Sequence, residues 1–359
     1  MRRPVRLGLV AAIILAIGVG GYSVFWHIAA GRIDVTVERT HSKAVRLAES
    51  PDLPPWTRTS KSGFERAAIS LDNVQPIVPP SGAPARFNVL RMAEATDYAS
   101  WGEVAELFVP LYAKASKIPS DGPPRTELEK IRAASKDPIK RAEGALQLVE
   151  SRIRYVALEM GADGLVPADA ADTWARRYGD CKAKTALLLG LLHDLGIEAE
   201  PVVVNASFGD GVNDRLPAVS LFNHILVHAT VAGKTYWLDG TRTGDTSLAK
   251  LTVPNFGWGL PIRKGVTALV RMLPPPLEQP DSDMTIELDA TKGIRGPVPA
   301  KLELIMRGDD ALGTNQVLAS FAGNTRDEAL RKFWRGRFDF IDPKTYDIAF
   351  DPDKVELHM

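Results

Sequence analysis

The apolar pattern changes character along the chain. It begins without any period: residues 7–30 carry no formally charged side chain, with His27 taken as neutral. At ~1.5 Å rise per residue, that run is long enough to cross a ~30 Å hydrocarbon core. Arg2, Arg3 and Arg6 precede it, and Tyr22, Phe25 and Trp26 lie near its far end. The positive-inside rule and the interfacial preference of aromatic rings then leave the N-terminus cytoplasmic. The expectation is a transmembrane anchor over residues 1–32 of a single-pass membrane protein, with the bulk of the chain periplasmic or otherwise extracytoplasmic. A cleavable signal peptide is the rival reading, with a shorter apolar region and Ile28-Ala29-Ala30 as its cleavage site.

Residues 33–37 read as a short strand. Residues 40–86 are rich in Ser, Pro and Arg and read as a linker carrying one or two strands, such as 67–71. Another short strand is expected at 87–92. Helical spacing starts after Ser100, with Trp101, Val104, Leu107, Phe108 and Leu111 on one face and Pro110 as a kink or stop. A Pro/Gly break at 119–124 precedes a second helix over 138–153, whose Pro138 suits a first turn. Residues 154–158 read as strand or continuation, 161–167 as loop and 172–177 as a short helix.

The stretch 181–195 is different again. It holds mostly helix formers, and Leu187, Leu188, Leu189, Leu191, Leu192 and Leu195 cover nearly its whole circumference, which predicts a helix buried on most sides. Asp180 reads as its N-cap and Gly196 as its end. Strands follow at 199–205, 223–231 and 235–239, the last two around Ala232-Gly233, a hairpin signal. Residues 248–261 look irregular, and 274–276 is a proline boundary. Beyond it, strands are expected at 284–288, 301–306, 346–350 and 355–359, with a helix at 325–334. The pattern reaches Met359 inside a strand, so a further partner strand is expected.

Composition changes this picture little. Charged residues are 25% and hydrophobic residues 45% of the 359, ordinary for a folded chain. Lys+Arg and Asp+Glu both number 44, so no overall field points to nucleic acid. The single cysteine excludes an internal disulfide framework and any zinc site built on several thiolates. No cofactor or metal is expected. Gly233-Lys234-Thr235 lacks the earlier glycine of a phosphate loop, and Gly18, Gly20 and Gly21 lie inside the uncharged run. His224 and His228 on one strand stand ~13 Å apart, too far to chelate one ion.

That cysteine, Cys181, opens the apolar helix. A lone cysteine is most often an inert small hydrophobe. Here the capped start and the positive end of the helix dipole make Cys181 a candidate reactive thiol. His224 and Asp239, each bland alone, acquire meaning through the hairpin. With Ala232 and Gly233 as loop residues, His224 faces Thr241, and Asp239 lies diagonally on the same face. Thiolate, imidazole and orienting acid form the triad of covalent acyl transfer.

Three segments carrying these residues resemble the core motifs of the transglutaminase-like superfamily, a papain-related group. They are RRYGDCKAKTALLLGLL at 176–192, LFNHILV at 221–227 and YWLDGT at 236–241. The residues IRYVALEMGADGLVPADA at 153–170 are similar to the stretch that bacterial membrane-associated members carry before the cysteine. The resemblance runs from about Phe87 to Pro261. It implies Cys181 as nucleophile, His224 as base and Asp239 as orienter. It departs at the N-terminus: the preceding β-domain of those members is much longer than 40–86 allows, and only 73–88 looks like it.

The expected fold is therefore α+β. A papain-like, transglutaminase-like catalytic domain at 87–262, its cysteine helix packed on an antiparallel sheet, follows the anchor and a linker at 33–86. A β-rich, incomplete region occupies 277–359. The expected function is thiol-dependent acyl transfer on a peptide or protein amide in the cell envelope, as peptidase, amidase or transglutaminase. The backbone N–H of Cys181 serves the oxyanion. The alternative is a non-catalytic, membrane-anchored module that binds a peptide or envelope partner on the same fold.

Overall fold

The computed structural model describes residues 22–29, 32–40, 44–61, 64–74, 81, 84–87, 91–157, 166–293 and 295–359. Tyr22–Ala29 (β1) pairs antiparallel with Arg32–Thr40 (β2). Arg46–Glu49 (β3), Thr57–Lys61 (β4) and Phe64–Asp72 (β5) follow. A four-stranded sheet runs in the order β1-β2-β5-β4.

This corrects the N-terminal expectation in part. The end of the uncharged run is strand, because Tyr22, Val24, Phe25, Trp26 and Ile28 are aromatic or β-branched and β2 offers them a ladder. Residues 1–21 lie outside the described residues. No helix among the described residues is long and apolar enough to cross a membrane.

β3 pairs with Ala93–Thr96 (β6), which is buried throughout. The strand expected at 87–92 thus starts later, and residues 88–90 lie outside the described residues. Trp101–Ala115 (α1) is capped by Ser100, whose hydroxyl accepts from Glu103 N at 3.3 Å, and Pro110 does not stop it. Pro123–Ala134 (α2) was not expected. Pro123 and Pro124, at the end of the stretch that reads as a break, occupy its first turn, where a missing N–H costs nothing. Pro138–Arg152 (α3) starts at Asp137, which accepts from Ile139 N at 2.9 Å. Arg154–Tyr155 (β7) pairs parallel with Tyr178–Gly179 (β8), across the helix Ala170–Arg176 (α4).

Cys181–Asp194 (α5) is the centre of the molecule. Leu187, Leu188, Leu191 and Leu192 are all at or below 1% exposure, each contributing ~1.5–3 kcal/mol of burial. One flank meets a sheet built from Glu198–Val204 (β9), His224–Val231 (β10), Lys234–Leu238 (β11), Gly257–Pro261 (β12) and Val270–Met272 (β13), in the order β11-β10-β9-β12-β13 and antiparallel throughout. α1, α3 and α4 pack on its other sides. Gly190 is required where α5 meets the end of α1, since a Cβ there would lie 1.9 Å from Ser116 O.

The C-terminal unit is Ser282–Leu288 (β14), Ala300–Arg307 (β15), Gly308–Ala319 (α6), Asn324–Arg337 (α7), Ala349–Asp351 (β16) and Glu356–His358 (β17). Its sheet runs β14-β15-β17-β16, over a core of Leu304, Met306, Leu318, Leu330, Trp334 and Leu357. α7 falls where a helix was expected, α6 where none was, and the strand expected at 346–350 is confined to β16.

Candidate active site

Cys181 occupies the first position of α5 and is 8% exposed. Asp180 Oδ1 accepts from Ala183 N at 3.0 Å, the cap its side chain predicts, and its other oxygen pairs with Lys182. The first N–H groups of a helix have no intrahelical partner, so the Cys181 N–H is not taken by a carbonyl of α5. Thr185 Oγ1 donates to Ile225 O at 3.1 Å and fixes this end of α5 against β10.

His224 begins β10. The hairpin has the register that its two turn residues predict: Val231 pairs with Lys234 and Val227 with Leu238. Ala232 and Gly233 both have positive φ, 52° and 79°, as a type I′ turn demands. Asp239 follows the last residue of β11 and lies diagonally across from His224. His224 Nε2 donates to Asp239 Oδ2 at 2.7 Å. Asp239 Oδ1 accepts from both Thr241 N, at 2.9 Å, and Thr241 Oγ1, at 2.7 Å. Cys181 lies near enough to the imidazole to favour its charged form as well. The start of α5, the start of β10 and the turn after β11 therefore bring Cys181, His224 and Asp239 to one place.

Electrostatics follow from this geometry. Burial alone would push the His224 ring down. The hydrogen bond with Asp239 first, and then the nearby Cys181, outweigh it and lift the ring to about 10. Burial likewise pushes Asp239 up, and His224 and Thr241 more than reverse it, so its carboxyl titrates below its usual range. The charged form of the ring is thus favoured next to Cys181.

Four residues around the site were not singled out by the sequence. Phe256 sets its ring edge-on to His224, centroids 6.0 Å apart at 78°. Tyr112 of α1 is buried near Cys181 and Asp180; burial first, then those two groups, push its hydroxyl well up, so it stays a donor. Thr241 orients Asp239. Lys184, one turn after Cys181, is 1% exposed and donates to Ile153 O. Burial pushes its ammonium down, against Glu150 and Asp239. A lysine among helix formers reads as a solvated position, which hid it. A leucine-rich turn with no exposed side was the available signal.

No protein-family model and no curated protein matches the sequence. Among solved structures, a candidate protease from Parabacteroides distasonis ATCC 8503 superposes with a TM-score of 0.53 at 15% identity, over 68% of this chain and 45% of that one. The chain thus spans less than half of that protein's length. A candidate cysteine protease from Cytophaga hutchinsonii (14% identity, 96% of this chain, 88% of that chain) and the red sea bream transglutaminase (12%, 58% and 48%) both give TM-scores of 0.24, too low to carry an argument. The likeness to the Parabacteroides protein is one of fold alone, a mixed α/β architecture.

Proposed function

We propose that the protein is a cysteine-dependent acyl-transfer enzyme acting on an amide of a peptide or protein. The observation that carries this reading is the cap-to-acid chain: a cysteine at a capped helix start, an imidazole whose charge that cysteine favours, and a buried carboxylate 2.7 Å from the ring Nε2. That arrangement supports an enzyme over a binding module, which has no use for an imidazole held in this state.

In the reaction, Cys181 Sγ attacks the carbonyl carbon. His224 takes the thiol proton as the bond forms, and Asp239 stabilises the resulting imidazolium. The negative charge moves to the carbonyl oxygen, within reach of the Cys181 backbone N–H. The C–N bond then breaks, and the leaving amine takes its proton from His224. This leaves a thioester on Cys181, which water or an amine resolves. Hydrolysis asks less of the site, because an amine acceptor must outcompete ~55 M water.

The extracytoplasmic address rests on sequence: three arginines followed by an uncharged run. With Tyr22–Ala29 in a strand, the uncharged stretch before it is about 15 residues long, nearer a signal-peptide apolar region than a full span. Anchor and signal peptide both deliver the folded part outside the cytoplasm.

The test is an electrophilic, thiol-directed peptide probe. Labelling at Cys181 that disappears in His224→Ala supports the enzyme; labelling insensitive to His224 contradicts it.

A further inference from the structure

Asp239 does not sit on a strand but at the start of a turn, with Arg242 N donating to Asp239 O at 3.1 Å. The loop after it is gripped from two sides. On the catalytic side, Asp245 N donates to Glu150 Oε2 at 3.1 Å, and Gln147 Nε2 to Thr246 O at 2.9 Å, both from α3.

On the other side stands α6 of the C-terminal unit. Arg242 grips Asp245 with two bonds, of 2.9 and 3.0 Å, and reaches Asp309 Oδ1 at 2.6 Å. The second oxygen of Asp309 accepts from Thr252 Oγ1 at 2.7 Å. One carboxylate thus holds both ends of the 242–252 segment. It lies in the first turn of α6, where the helix dipole favours its charge. Two turns on, Gln316 Nε2 donates to Thr243 O at 2.8 Å and Thr243 Oγ1 at 3.0 Å.

A triad acid needs to be held to within about half an ångström to orient an imidazole, and loops do this less well than strands unless they are braced. Here the brace comes from a different structural unit. We infer that α6 of the C-terminal unit positions the triad acid, with Asp309 and Gln316 as positioning residues that act on Asp239 through Arg242 and Thr243. The C-terminal unit is then part of the working enzyme without touching substrate. This rests on the assignment of Cys181, His224 and Asp239 as the reacting groups.

The experiment is done on the full chain. The His224 ring is followed by NMR against pH, its signal assigned by loss in His224→Ala, and Cys181 labelling by the peptide electrophile is timed in parallel. Asp309→Asn is expected to lower the His224 midpoint by about one unit and slow labelling roughly tenfold. Asp309→Glu is expected to recover most of both. Gln316→Ala, which removes no charge, serves as the second variant should Asp309→Asn fail to fold, and is expected to shift both readouts in the same direction. An unchanged midpoint and rate in the folded Asp309 and Gln316 variants, while Asp239→Asn lowers both, overturns the bracing role and leaves the triad intact. If Asp239→Asn itself changes neither, the triad assignment fails first and the bracing role with it.

Discussion

His224 and Asp239 meet at 2.7 Å across a hairpin whose register is set by two positive-φ residues, Ala232 and Gly233. A turn shifted by one residue would put the acid on the opposite face of the sheet and leave the imidazole unsupported. The side-chain chemistry therefore depends on backbone chemistry at the far end of the hairpin.

Asp239→Asn tests the electrostatic half of that relationship. The amide can still accept from Thr241, so the turn should survive. The charge that stabilises imidazolium is lost, and amide turnover or Cys181 labelling should fall roughly hundredfold or more. A rate within a few-fold of the parent protein would contradict the role.

The same pair has a stability signature. His224 is raised from 6.5 to about 10, so its contribution is complete below ~6.5 and is lost as pH rises through ~10. Asp239 is lowered from 3.8, so its contribution is present above ~3.8 and is lost as pH falls through its folded value. The stability gap between the parent protein and Asp239→Asn, measured by urea unfolding, should be widest between about pH 4 and 6.5 and shrink on both sides.

Glu150 gives a contrasting profile. Burial first, then Asp245, raise its carboxyl from 4.5 to about 8, and one oxygen is buried without a partner. The protonated form is favoured on folding, so the stability it permits is complete below ~4.5 and lost as pH climbs through ~8. Glu150→Gln keeps an acceptor for Asp245 N and carries no charge. It should unfold like the parent at low pH and be the more stable protein above pH 8, as denaturant midpoints at the two pH values will show.

Much of this was legible in the sequence and some was not, for identifiable reasons. α5 announced itself because cap, helix formers and a terminal glycine agree. The hairpin did so because two turn residues fix the register. β12 stayed hidden because Gly257, Gly259 and Pro261 give it no strand propensity; it is a strand because β9 pairs with it, and a Cβ at Gly259 would meet Val202 Cγ1 at 2.6 Å. α2 buries little beyond Pro124 and Leu128, so it shows no apolar stripe. Asp309, distant in sequence from Asp239, gave no local signal at all.

Gly190 marks where packing overrides propensity. A glycine inside a helix costs up to ~1 kcal/mol against alanine. Gly190→Ala should nevertheless destabilise by about 3 kcal/mol or more, since Ser116 O occupies the space and is backbone. Thermal unfolding of the variant checks the sign, which propensity alone would reverse.

The central claim is that Cys181 carries an acyl group during turnover. Intact-mass spectrometry after rapid quenching with an activated acyl-amide substrate reads this directly. The account predicts a mass gain equal to the acyl group, mapped to the tryptic peptide holding Cys181, reversed by hydroxylamine, and absent from Cys181→Ala and His224→Ala. Substrate turnover with no adduct on Cys181, or an equal adduct in His224→Ala, would contradict it.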